Sequence, residues 1–389
     1  MTQKVSSTSV EGLETSKLTG AAMPAIDGSA LTNLNSGILK STTNPAIDSN
    51  PSGGVGTLWV NKITGQIYNC TDATAGENVW TNIGSGTGGV EPFSFQGLTH
   101  GYVAGGMLTG SNWTAVIEKF LFSSNTTAAG NGNLSEARQI SMGSSSATDG
   151  FTAGGNNNSW SQQTSIDKWS FSSNTTSADH GDLRVANQGA SGHSTGTHGY
   201  VSGNGAYPMD TPIDKYAYSA NTTSSGHGDL ENIQYYASEH SGKTDGYIAG
   251  GISPSGGSNQ KWISKFSFAS NTTASSHGDL GSGKERHNPT GCTSTTHGYV
   301  CGGHNAATTN DQINIDKFQI SSNTTASHVG DLTVARYDGA GSSSTTHGFV
   351  SGGNGQRNQI DKIDFSTDTN STDHGDLSAG KTGSSGHQV

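Results

Sequence analysis

Cysteine is almost missing: Cys70, Cys292 and Cys301 are the whole complement of a 389-residue chain. An odd number with no paired spacing supplies neither a disulfide framework nor a thiolate zinc site. Charge is scarce as well, at 13% of residues, and the formal net charge is −11. No Lys/Arg cluster offers a surface for phosphates, so nucleic acid is not expected as a partner. No run of about 18 apolar residues occurs, so no helix is expected to insert in a membrane. Met1-Thr2-Gln3-Lys4-Val5 lacks the apolar core of a secretion signal, and synthesis in a cytoplasm is expected. The chain is expected to hold no nucleophile elbow, phosphate loop or Asp box ending in Trp, so neither an enzyme nor a cofactor site is expected. Apolar residues make up only 30% of the chain, which by itself would suit disorder.

Regularity argues the other way. Thr346-His347-Gly348-Phe349-Val350-Ser351-Gly352-Gly353 has counterparts beginning at Thr99, Thr148, Thr197, Thr244 and Thr296. Gly105, Gly154, Gly203, Gly250, Gly302 and Gly352 mark the same point in each copy, at intervals of 47 to 52 residues. An Ile-x-Lys string follows each, at Ile117, Ile166, Ile213, Ile263, Ile315 and Ile360. Then come Asn-Thr-Thr turns at Asn125, Asn174, Asn221, Asn271 and Asn323, with Asp368 in the last copy, and a Gly-Asp-Leu string. Such a period predicts an array of small four-stranded sheets, a six-bladed β-propeller over residues 93–389.

The strand patterns agree. In Phe349-Val350 two apolar neighbours must face opposite ways, so both faces of the sheet are buried. Phe120/Phe122, Trp169/Phe171, Tyr216/Tyr218, Phe266/Phe268, Phe318/Ile320 and Ile363/Phe365 alternate along the next strand. The first strand of each unit is rich in Gly, Ser and Ala, as a crowded innermost strand requires. The chain closes with such a strand but opens the first unit without one. The C-terminal strand is therefore expected to complete the first sheet, removing open edges.

Several repeated polar residues invite a chemical reading. His180, His227, His277 and His374 stand two residues before a carboxylate, but each pair sits in a different unit and offers a metal only two ligands. Asp182, Asp229, Asp279, Asp331 and Asp376 are expected to pair with Lys168, Lys215, Lys265, Lys317 and Lys362. His100, His198, His297 and His347, with Asp149 and Asp245 in the other copies, are expected as turn residues, with a ring that holds a metal or anion at one mouth of the channel as the alternative. The Asn and Thr side chains of the Asn-Thr-Thr turns are expected to bond local backbone.

Residues 1–54 read as an extended arm, with sparse apolar points at Leu13, Leu18, Met23, Ile26, Leu31 and Leu34. Residues 55–84 read as a small β module of three strands holding Trp59, Tyr68 and Trp80. Residues 85–92 form a Gly-rich linker. Segments such as Met23-Pro24-Ala25-Ile26-Asp27-Gly28 and Gly56-Thr57-Leu58-Trp59-Val60-Asn61 resemble the N-terminal parts of tailed-phage virion proteins. The repeats resemble kelch repeats, with a Gly-Gly after the second strand, though they lack the usual fourth-strand Trp. These resemblances imply a virion-located, trimeric structural protein of the tail-fibre or head-fibre type. They imply other virion proteins as partners through the N-terminal region.

The copies differ mainly in the loops after the second and fourth strands, which share one face. That face gathers Trp113, Trp160, Tyr207, Tyr235, Tyr236 and Trp262 with Lys284, Arg286 and Arg357. Aromatic plates beside amide donors suit a host-surface glycan or receptor. A purely structural unit docking another virion protein is the alternative, and a glycan-active enzyme is a third.

Overall fold

The computed structural model describes residues 38–84, 94–254 and 258–389. The chain divides into two compact units, residues 1–92 and 93–389. The six apolar points of the expected arm and the expected linker 85–92 lie outside the described residues.

In the first unit Leu58–Asn61, Ile67–Asp72 and Val79–Asn82 pair antiparallel. A fourth strand, Ile38–Ser41, runs parallel to Leu58–Asn61. Residues 38–54 therefore belong to this module and not to an arm, a correction to the expected boundary. The Asn78 amide holds them there, donating to Ile47 O and Asn50 Oδ1, each at 2.7 Å. Trp80 and Cys70 are fully buried, and Trp59 lies edge-on to Trp80 at 5.6 Å. A short sheet with one such face gains a core that its length alone would not give.

The described residues contain no helix, and the second unit is a set of small sheets. Sheet two runs Met142–Ser145, Asp149–Ala153, Gln163–Ser170 and Ala178–Asn187, each strand antiparallel to the next. Sheets three to six repeat that order from first strands Ser191–Ser194, Ser238–Ser241, Thr290–Thr293 and Ala340–Ser343. Sheet one joins distant parts of the chain. Ser385–Gln388 pairs with His100–Ala104, which continues to Val116–Leu121 and Ala129–Asn133.

Both faces of every sheet are occupied. Tyr102 of sheet one packs on Trp169 and Phe171 of sheet two, while its neighbour Val103 packs with Phe349 of sheet six. Six such apolar clusters join one to two, two to three, and so on to six and one. Ring stacking recurs across them: Phe151 on Tyr218 at 4.3 Å and Phe349 on Phe122 at 4.7 Å. Each buried aromatic contributes about 1.5–3 kcal/mol.

Backbone bonds follow the same circuit. Just before each first strand a residue in the left-handed region bonds its counterpart in the adjacent sheet. Gly189 N donates to Ile140 O, Tyr236 to Gly189, Asn288 to Tyr236, Asp338 to Asn288, Gly383 to Asp338, and Ile140 to Gly383, at 2.6–3.2 Å. Four of these six residues carry side chains at φ between +51° and +57°. Such conformations persist where surrounding bonds over-determine them. A second circuit runs further out. There the carbonyl of the Gly-Asp aspartate, or Asn133 in sheet one, accepts from the next sheet's turn at 2.7–2.8 Å.

The repeated polar motifs serve these junctions. His180, His227, His277 and His374 each bond through Nε2 to a third-strand carbonyl of the following sheet at 2.8–2.9 Å. The turn asparagines do not bond local backbone, contrary to expectation. Asn221 reaches back to Asp179 O at 3.0 Å, and Asn323 to Ser276 O at 3.4 Å, because the preceding sheet's fourth strand lies against the turn. The expected Lys–Asp pairs are likewise corrected. Lys168 pairs with Asp149 at 3.3 Å and Lys317 with Asp368 at 2.5 Å, since the lysines lean toward neighbouring turns. His100, His198, His297 and His347 do act as turn residues, each bonded through Nδ1 to the preceding threonine hydroxyl at 2.8–2.9 Å.

Candidate ligand-binding face

The loops after the second strands present three exposed aromatic side chains. Tyr207 is 92% exposed, Trp160 64% and Trp262 38%. Trp160 tops a turn in which Asn157 Oδ1 accepts from Ser159 N and Ser161 N. Its ring meets Trp113 edge-on at 4.9 Å and 81°, and Trp113 itself is buried. The pair thus combines a displayed plate from sheet two with a support from sheet one. Trp262 opens the third strand of sheet four, and residues 255–257 of the loop before it lie outside the described residues.

The other expected residues fall differently. Tyr235 is buried, 5.1 Å from Tyr236. Tyr236 is half-buried against Gly189 and faces a central cavity. Lys284 and Arg357 are half-buried in the loops. Arg286 is withdrawn from the face altogether, a correction to the expectation. Its guanidinium is 1% exposed and lies 2.6 Å from Asp316, with a further bond to Val300 O. Burial pulls its pKa down and the Asp316 carboxylate pushes it back up.

Arg286 belongs to a device that sequence reading missed. Four residues before the first strand, a cation enters its own sheet and pairs with the acid of the Ile-x-Lys string. The pairs are Arg138–Asp167, Arg286–Asp316, Arg336–Asp361 and Lys381–Glu118, every side chain no more than 2% exposed. In sheet four both charges vanish together: Gln234 faces Ser264, with Ser264 Oγ donating to Gln234 Oε1 at 3.0 Å. In sheet three Asn187 takes the cation's place, and Asp214 pairs instead with Arg184 at 2.6 Å. The joint loss in the fourth copy was the legible signal.

No protein-family model matches the chain. No curated protein matches it in sequence either.

Two strings do carry the letters of enzyme motifs, and their settings remove them from chemistry. Gly375-Asp376-Leu377-Ser378-Ala379-Gly380-Lys381-Thr382 has the spacing of a phosphate loop, but a strand follows it where a helix N-terminus is needed. Its Lys381 is spent on Glu118. Gly192-His193-Ser194-Thr195-Gly196 has the spacing of a nucleophile elbow, but Ser194 is buried in a hairpin, accepting from Ser145 N at 2.9 Å.

The six first strands surround a cavity of about 70 Å³. Gly143, Gly192, Gly291, Gly341 and Gly386 occupy one strand position, and Glu239 alone carries a side chain there. Residues 94–97 lie across one end: Gln96 Nε2 donates to Thr293 O at 3.0 Å, and Phe95 O accepts from Gln388 Nε2 at 2.9 Å. Glu239 and Asp338 both line the cavity, and burial raises each carboxyl to about 7. A carboxyl with a raised folded pKa adds stability below its unfolded pKa, and that contribution is lost as pH rises toward 7. Glu239→Gln is therefore expected to unfold later than the parent above pH 7, with the difference shrinking to nothing near the unfolded pKa of 4.5. Thermal unfolding of the two proteins across that range checks it, and a constant difference would remove Glu239 as the cause.

Proposed function

We propose that the six sheets are the blades of a closed, six-bladed kelch-like propeller, borne by a virion protein of a tailed phage. The circuit of apolar clusters and the two circuits of backbone bonds support the closed ring. The first unit, with its resemblance to virion N-terminal segments, attaches the protein to other virion proteins and holds it as a homotrimer. The propeller binds host-surface glycan through its variable loops. It performs no catalysis, binds no nucleic acid and inserts in no membrane. Its place is the virion, as a tail fibre or a capsid fibre, assembled in the host cytoplasm.

One observation carries the binding role. Trp160 and Tyr207 stand exposed on the loops that vary between copies, and Trp262 where a strand leaves one, while most aromatics of the sheets are sunk in the clusters between them. An exposed ring offers a face on which sugar C–H groups can pack. Purified envelope polysaccharide of the host should bind the full chain, and Trp160→Ala with Tyr207→Ala should weaken binding about tenfold, two aromatic contacts at about 0.7 kcal/mol each. Polysaccharide binding that ignores both substitutions would defeat this reading. Capture of another virion protein by the same loops would favour a docking role, and release of reducing sugar would make the face catalytic.

A further inference from the structure

One backbone arrangement recurs between the segment entering a sheet and the residue after that sheet's Gly-Gly, and the side chains it carries change from sheet to sheet. It pairs Met107 with Thr382, Asn156 with Gln139, Ile252 with Tyr235, and His304 with His287. The last is unlike the others. His287 N donates to His304 O at 3.0 Å and His304 N to His287 O at 2.8 Å, so the two imidazoles leave the backbone side by side. Their ring centres are 5.2 Å apart, and Tyr337 from the segment entering sheet six is 5.4 Å from His304 and 6.4 Å from His287.

The supports of this trio fix its hydrogen-bonding character. Asn259 Oδ1 accepts from His287 Nδ1 at 2.9 Å, and Asn259 Nδ2 donates to His304 O at 2.9 Å. Asp311 Oδ1 accepts from His304 Nδ1 at 2.9 Å, and its Oδ2 accepts from Asn354 Nδ2 at 2.6 Å. Asn354 Oδ1 in turn accepts from Tyr337 N at 3.1 Å. In their neutral forms both imidazoles donate through Nδ1 and keep a lone pair on Nε2. Neither Nε2 nor the Tyr337 hydroxyl has a hydrogen-bond partner among the described residues. The carboxylate of Asp311 touches His304, and that of Asp338 adds negative charge near Tyr337. Three half-buried rings, two free acceptors and one phenol are braced here by loops of three sheets.

We propose that His287, His304 and Tyr337 form a subsite for a neutral sugar. Sugar hydroxyls donate to the two Nε2 atoms, the Tyr337 hydroxyl bonds a third oxygen, and ring C–H groups pack on the aromatic faces. Asp311 disfavours an acidic sugar. This subsite deepens the glycan-binding reading and rests on it, but places the specific contacts away from Trp160 and Tyr207.

Saturation-transfer NMR on the full chain tests it, with glucose, galactose, mannose and rhamnose as probes, N-acetylneuraminate as the acidic control, and EDTA present. At least one neutral sugar should bind and the acidic one should not. Tyr337→Phe keeps the packing and removes one hydrogen bond, so affinity should fall about fivefold, while His304→Ala should lose about tenfold or more. Val185→Ala, at an exposed position on the fourth strand of sheet two, should leave monosaccharide affinity unchanged. The proposal is overturned if His304→Ala and Tyr337→Phe bind like the parent, if the acidic sugar binds better, or if binding appears only when zinc replaces EDTA. Envelope polysaccharide that binds with no monosaccharide binding overturns the subsite and leaves the glycan reading standing. Silence from both polysaccharide and monosaccharides takes both down.

Discussion

Arg336→Ala should lower the unfolding free energy by about 3–5 kcal/mol, the usual cost of stranding half of a buried ion pair. Asp361 now accepts four bonds: from Arg336 Nη2, Thr333 N, Thr333 Oγ1 and Ser371 Oγ, at 2.7–2.8 Å. Arg336 also feeds Gly352 O and Gln359 O, at 3.1 Å each. Removing the guanidinium leaves a carboxylate in the interior without its countercharge, and two carbonyls short of a donor. The fourth sheet shows the way back. There Gln234 bonds Gly250 O, Trp262 O and Ser264, so an amide and a hydroxyl fill the same space without charge. Arg336→Gln combined with Asp361→Ser should therefore fall within about 1 kcal/mol of the parent, giving a coupling of at least about 2 kcal/mol between the positions. Denaturant unfolding of the parent, both single variants and the double variant measures it. Additive losses would show that the charges act separately and that sheet four is no precedent.

Deleting residues 384–389 should cost still more. The segment supplies the whole first strand of sheet one and the neighbour that both adjoining first strands touch. His387 Nδ1 donates to Ser144 O at 3.0 Å and its ring lies edge-on to Trp169 at 5.0 Å, while Ser343 N donates to the Gln388 side chain at 3.4 Å. Burial takes the His387 imidazole down to about 4, so it is neutral at ordinary pH and costs no charge in the seam. Without the segment, His100–Ala104 becomes a naked edge and two apolar clusters open to water. We expect the unfolding midpoint to fall by more than 10 °C, from a loss above about 5 kcal/mol at roughly 2–4 °C per kcal/mol. Gly386→Val should approach the same loss with all residues present, because its Cβ would stand 1.9 Å from Gly341 O. A deletion variant that melts with the parent would mean that the strand is dispensable and the circuit already open.

The sheets were readable because each copy spells the same requirements. Adjacent apolar residues such as Tyr102-Val103 must go to two buried faces, and small residues must fill the first strand. Residue patterns could not show which neighbour each polar group reaches. Asn221 and His180 look like local turn and strand residues, yet both bond across to an adjacent sheet. The aromatics of the loops were found as a class. Position within a loop then separated Tyr207, exposed, from Tyr235, buried. Arg286 was misread because a surface cation and a buried one have the same letters, and only the partner at Asp316 distinguishes them. The imidazole pair His287 and His304 escaped notice because the residues lie on separate loops and meet only through a backbone bridge.

The pairing of Ser385–Gln388 with His100–Ala104 also sets a timetable for biosynthesis. Ser385 bonds Ala104 across 281 positions, so on the ribosome the strand at His100 emerges with one side unpaired and stays so while five sheets are made. An uncovered strand of this kind is an invitation to stray partners. That strand carries Tyr102 and Val103, so the edge left waiting is an apolar one, and it is covered only when Ser385–Gln388 arrives.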